Sequence, residues 1–89
     1  MNLLKYLIEL IGTFIFLSVI LSSGEAIPIA IALAAVIFFG GKISGGNYNP
    51  AVSTMMYMNN KLNTTDYVMY VISQIVGGLL ALALHNAKK

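Results

Sequence analysis

Residues 42–58 read Lys42-Ile43-Ser44-Gly45-Gly46-Asn47-Tyr48-Asn49-Pro50-Ala51-Val52-Ser53-Thr54-Met55-Met56-Tyr57-Met58, and their reading decides the architecture. Gly45, Gly46 and Pro50 stand close together and interrupt regular structure. Asn49 is a good helix N-cap, and Pro50 suits the first helical position, where its missing N–H costs nothing. The stretch therefore predicts a loop feeding one short helix, of roughly two or three turns.

Working outward, long apolar runs lie on both sides. Leu3 to Leu21 is interrupted by Lys5 and Glu9 and continuous from Leu10 onward, 19 residues in all, which matches the span of a bilayer's ~30 Å hydrocarbon core. A break at Ser22-Ser23-Gly24-Glu25 precedes Ala26 to Phe39, extendable through Gly40 and Gly41. Its length by itself fits either a short span or a buried segment. Tyr67 to Leu84 follows the short stretch, and Asn63 with Asp66 three residues on resembles a capping-box start. The expected elements are spanning helices over 3–21, 26–41 and 66–84, with a re-entrant loop and half-helix over 42–58. A cleaved leader would share Lys5 and the small residues at Ser22-Ser23-Gly24 with the first run. Glu9 inside it and two further membrane-length segments favour a span.

Composition agrees. The 89 residues are 58% hydrophobic and 9% charged, against roughly 45–50% and 25% in ordinary globular chains. An integral, multi-pass membrane protein is expected, with the lipid bilayer as its first partner. The formal net charge is +2 with no arginine, so no basic patch for nucleic acid exists. Without cysteine there is neither a disulfide nor a thiolate site. His85, the single histidine, excludes a multi-histidine zinc site or a histidine-based triad within one chain. No nucleophile, base and orienting group can be assembled. No enzyme activity, cofactor or metal is expected.

The short helix cannot span. Irregular backbone at membrane depth is tolerated only when buried in protein or lining a wet cavity. A half-helix ending inside the bilayer points its positive dipole end and free N–H groups at whatever passes. That is the physics of a pore or binding site.

Ser44 to Ser53 closely resembles the first Asn-Pro-Ala loop of the aquaporin and aquaglyceroporin family. Glu9-Leu10-Ile11-Gly12-Thr13-Phe14 resembles the start of that family's first helix, and Tyr70 to Gly78 resembles its third. Three motifs in order cover nearly the whole chain. Members carry two such halves, inverted within one chain, with six spanning helices and two half-helices. The resemblance thus implies an all-α membrane fold of three spanning helices and one re-entrant half-helix, half of the family's channel. An antiparallel second copy would complete it, in a dimer or a tetramer of dimers. With the N-terminus cytoplasmic, Lys5, Lys42 and Lys61 lie inside against Lys88 and Lys89 outside. Orientation follows lysine and arginine asymmetry in short loops, so this small bias predicts mixed insertion.

The resemblance also assigns roles. The Asn49 amide would donate to a permeating water or hydroxyl, and Pro50 and Ala51 would hold two half-helix tips together. Glu9 would accept backbone N–H groups of the loop, with Gln74, Ser44, Gly45 and Gly46 in support. A proton-relay role for Glu9 wants a chain of ionisable partners. Selectivity candidates are Ile29, 20 residues before Asn49 where the family carries an aromatic, and Val52, where its second motif carries arginine. Asn47, in place of the usual histidine, and Tyr48 are counted with them as lining. The expected function is passive passage of water or small uncharged solutes such as glycerol. The alternatives are a non-conducting or regulatory subunit beside a full-length channel, or a truncated remnant.

Overall fold

The computed structural model describes residues 2–88, whose regular structure is helical throughout: α1 (Leu3–Ser22), α2 (Ala26–Ser44), α3 (Pro50–Met58) and α4 (Thr64–Ala87). The helices α1, α2 and α4 are long and apolar enough to cross a membrane. At 1.5 Å per residue the nine residues of α3 reach only about 14 Å. The fold measures 40 × 24 × 20 Å, and its long axis matches a bilayer of ~40–45 Å with headgroups.

Local chemistry sets the helix ends. Apolarity suggested that α2 stops at Gly41, but it runs on to Ser44. Lys42 in the last turn complements the helix dipole instead of ending the helix. Termination comes at Gly45, left-handed at φ 93°, whose N–H donates to the Gly41 carbonyl at 2.8 Å. The α4 helix starts at Thr64, two residues before the expected Asp66, because Asn63 Oδ1 accepts from the Asp66 N–H at 2.7 Å. It also continues past Leu84 to Ala87, and α1 ends at Ser22 rather than Leu21.

Packing places α1 between α2 and α4, with α3 lying on α4. A Cβ on Gly77 would sit 2.5 Å from the Leu10 carbonyl oxygen, so α4 touches the α1 backbone at that point. Among the described residues the buried apolar side chains are Tyr6, Val36, Tyr48, Tyr70 and Ala81. The buried polar ones are more numerous, Glu9, Gln74, Asp66 and Asn47 among them. Phe38 and Phe39 stay 77% and 78% exposed. Polar inside and apolar outside suits a protein whose surroundings are as apolar as leucine.

One buried cluster has no counterpart in the expected sites. Lys5 Nζ and Tyr6 OH both donate to the Asp66 carboxylate, joining the first turns of α1 and α4. The Tyr6 ring meets Tyr70 edge-on at 6.0 Å. Hydrogen bonds to a charged group contribute about 1.5–3 kcal/mol. Asp66→Ala is therefore expected to lower stability in detergent by about 2 kcal/mol, read from thermal unfolding followed by circular dichroism. An unchanged midpoint would mean that this pair does not hold the two helices together.

Candidate functional site

From Gly45 to Asn49 the backbone belongs to no helix, and most of its N–H groups find a partner. Gly46 N–H donates to Ser44 Oγ at 3.1 Å. Asn47 N–H donates to Glu9 Oε2 at 3.1 Å, and Tyr48 N–H to Glu9 Oε1 at 2.7 Å. The same carboxylate accepts from Ser44 Oγ at 2.6 Å and from Gln74 Nε2 at 2.9 Å. Glu9 is wholly buried, and a buried carboxylate persists only when its oxygens are satisfied in this way. Gln74 Nε2 also donates to Ser53 Oγ at 2.8 Å, which ties α4 to α3. Tyr70 OH donates to the Ser44 carbonyl and closes the last turn of α2.

Asn47 and Tyr48, expected at a lining, are buried in the chain instead. Asn47 Nδ2 donates to Ser53 Oγ at 3.0 Å. Tyr48 is 2% exposed, and its ring passes between α1 and α2 at Gly12 and Gly40, where a Cβ on either glycine would clash with it. Its hydroxyl donates to the Val36 carbonyl at 2.6 Å. The physical reason is backbone direction. Gly45, Gly46 and Tyr48 all take positive φ, at 93°, 67° and 55°, and this turn carries both side chains inward. A non-glycine residue at positive φ is uncommon and is held here by the bonds at both ends of Tyr48.

What reaches the surface is the tip itself. Asn49, Pro50 and Ala51 are exposed. Asn49, extended at φ −159°, caps α3 through Oδ1, which accepts from the Ala51 N–H at 2.7 Å. That leaves the Nδ2 amide as a free donor. The Val52 N–H also lacks a partner among the described residues. Gly12, against which Tyr48 packs, is the tenth of the twenty residues of α1, so the loop reaches the level of the middle of that helix. The N-terminal dipole of α3 adds partial positive charge there. Such a group can donate to a neutral hydroxyl and disfavours a cation.

The other expected residues are dispersed. Val52 is half-buried next to the tip. Ile29 lies near the start of α2 and does not line the depression beside Asn49. Sequence reading missed Ser53, 0% exposed, and Thr13, 1% exposed. Helical spacing carried the signal for both: Thr13 follows Glu9 by four residues, and Ser53 follows Asn49 by four.

Three helices long and apolar enough to cross a membrane, with a short capped helix whose entry loop is held by buried polar groups, define an integral membrane fold. The sequence profile described as Major intrinsic protein matches residues 22–88, and the chain belongs to that family. It is 40% identical over 89 aligned positions to a "Glycerol uptake facilitator protein-like 6" of Lactiplantibacillus plantarum, covering 89% of this chain and 41% of that protein. It is 30% identical to "Aquaporin Z" of Photorhabdus laumondii over 90% of this chain and 41% of the relative. Against "Aquaporin-8" of Notomys alexis it is 40% identical over 86% of this chain and 34% of the relative. The chain thus spans well under half the length of the curated relatives it matches. No solved structure matches it significantly.

Proposed function

We propose that this chain supplies half of a passive conduit for water and small uncharged solutes such as glycerol, lined at mid-depth by the Asn49 amide. The observation that carries this reading is the exposed tip. A capped half-helix ends inside the membrane with the Asn49 donor free, while the loop behind it is held by Glu9 and Gln74. Exposed polar backbone at that depth requires protein or water around it. The printed names of the relatives, a glycerol uptake facilitator and aquaporins, support the same solutes. Val52 is aliphatic and the chain has no arginine, so the half that it supplies brings no guanidinium to the opening and leaves polyols as well as water open.

The test is osmotic shrinkage and glycerol-driven reswelling of liposomes containing the purified chain. Permeation above that of empty vesicles is expected, with Asn49→Leu lowering it about tenfold, the equivalent of ~1.4 kcal/mol. Permeability equal to empty vesicles, from protein whose helicity is intact, overturns the reading.

A further inference from the structure

At the end of α3 away from the tip, the Tyr57 and Tyr67 rings lie stacked, their centroids 4.5 Å apart and their planes 6° from parallel. Both hydroxyls are tethered, which fixes the rings. Thr54 Oγ1 donates to the Pro50 carbonyl at 2.8 Å, so the Tyr67 hydroxyl is the donor in its own 2.8 Å bond to Thr54. Tyr57 OH and Thr64 Oγ1 meet at 3.0 Å. Two hydroxyls joined by one bond leave one O–H unspent.

Beside the stack opens a depression of about 460 Å³, lined by Tyr57, Met58, Asn60, Leu62, Asn63 and Thr64. Tyr67 covers one face of the Tyr57 ring and is not part of this lining, so the depression meets ring surface that the stack leaves uncovered. Asn63 spends Oδ1 on the Asp66 N–H at 2.7 Å, which leaves its NH₂ free. Asn60 is exposed and held left-handed at φ 60°, its N–H on the Tyr57 carbonyl at 3.1 Å, and its side-chain amide enters no hydrogen bond among the described residues. No charged side chain belongs to the lining. Lys61 is exposed but lies outside it, and the Asp66 carboxylate is taken up by Lys5 and Tyr6.

An aromatic surface, two aliphatic side chains, two amides and a spare hydroxyl suit a solute with C–H groups on one side and hydroxyls on the other. A carboxylate or ammonium would lose hydration there without gaining a countercharge. A purely apolar molecule would leave the amides unmatched. The volume falls within the ~300–1,000 Å³ of small-molecule sites. Pro50, Thr54 and Met58 follow one another at intervals of four along α3, and all three are exposed. They make an open stripe from the tip to the depression, which Met58 also lines.

We infer that this depression is a binding station for neutral polyols, in which the C–H groups of the solute pack on Tyr57 and its hydroxyls bond the Asn60 and Asn63 amides and the Thr64 hydroxyl. The inference deepens the conduit reading, on which the station's use rests, by giving the solute a place of capture before it travels along α3 to Asn49. Binding itself rests on the lining residues alone.

The test is saturation-transfer NMR on the purified chain in deuterated detergent, with glycerol and sorbitol as probes. Gluconate and glucamine, the anionic and cationic counterparts of sorbitol, and a polyether without hydroxyls are the comparisons. Transfer to the C–H protons of glycerol and sorbitol is expected, with sorbitol bound more tightly. Tyr57→Leu and Thr64→Val are each expected to weaken binding about fivefold, the loss of roughly one good contact. Asn60→Gly keeps the left-handed backbone, removes the amide and is expected to do the same, so it decides the matter if Tyr57→Leu fails to fold. Phe38→Leu, on the outer face, is expected to change nothing. Affinity unchanged in Thr64→Val and Asn60→Gly, or gluconate, glucamine or the polyether bound as well as sorbitol, overturns the inference. In liposomes the same variants should slow glycerol entry at low glycerol concentration and leave water permeation as it was. Polyol binding that depends on Asn60 and Thr64, in a chain that passes no glycerol, would leave the station standing and remove the conduit. Glycerol permeation without any such binding would do the reverse.

Discussion

Glu9→Leu is expected to leave α1, α2 and α4 helical and membrane-inserted while releasing the loop that carries the tip. The substitution removes the acceptor of the Asn47 and Tyr48 N–H groups, the Ser44 hydroxyl and the Gln74 amide together. Each buried donor left without a partner costs about 1–3 kcal/mol, and water is not at hand inside the fold to replace the carboxylate. The expected destabilisation is about 4 kcal/mol or more, less than the simple sum because the loop relaxes once freed. Glu9→Gln should fall between wild type and leucine, since one carbonyl oxygen still accepts while the new NH₂ faces other donors. Backbone amide exchange at Asn47 and Tyr48 in detergent micelles is the direct readout. Protection unchanged in Glu9→Leu would show that the loop stands without the carboxylate.

Tyr48 carries the second large expectation. Tyr48→Ala empties the space between α1 and α2 and should cost about 3–5 kcal/mol, as for other large aromatic truncations. Tyr48→Phe keeps the ring and loses only the bond to the Val36 carbonyl, about 1 kcal/mol. Gly12→Val should also be severe on its own, because a Cβ there strikes the Tyr48 ring. In the double variant the valine occupies space that the missing ring vacates. The double is then less destabilised than the two single losses added, by more than about 1 kcal/mol. Thermal unfolding of the four proteins in one detergent gives the cycle. Strict additivity would mean that the ring and Gly12 do not share the contact described here.

Both expectations concern residues on which sequence and structure part company in an instructive way. Glu9 announces itself in the sequence, since a lone carboxylate inside an apolar run asks for a partner. Tyr48 does not, because a loop has no periodicity from which to read the side that faces inward. Its neighbour Asn49 is legible for the opposite reason: an Asn-Pro pair at a helix start has a local capping function that needs no tertiary partner. The Lys5–Asp66 pair was hidden as well. Its members are 61 residues apart, and only the parallel packing of α1 on α4 brings them together.

The sequence by itself determined the class of protein, the three spans, the short capped helix between the second and third, and the position of the polar tip. Those follow from run length, composition and capping, which act over a few residues at a time. Tertiary structure decided which polar groups are consumed inside the chain and which are left for something outside it. Asn47 and Tyr48 turn inward, Asn49 stays out, and Gln74 keeps one free oxygen. The reason is that hydrogen-bond satisfaction in an apolar surrounding is settled collectively. Whether a donor is free depends on left-handed backbone at Gly45, Gly46 and Tyr48, and on a carboxylate nearly forty residues away in sequence.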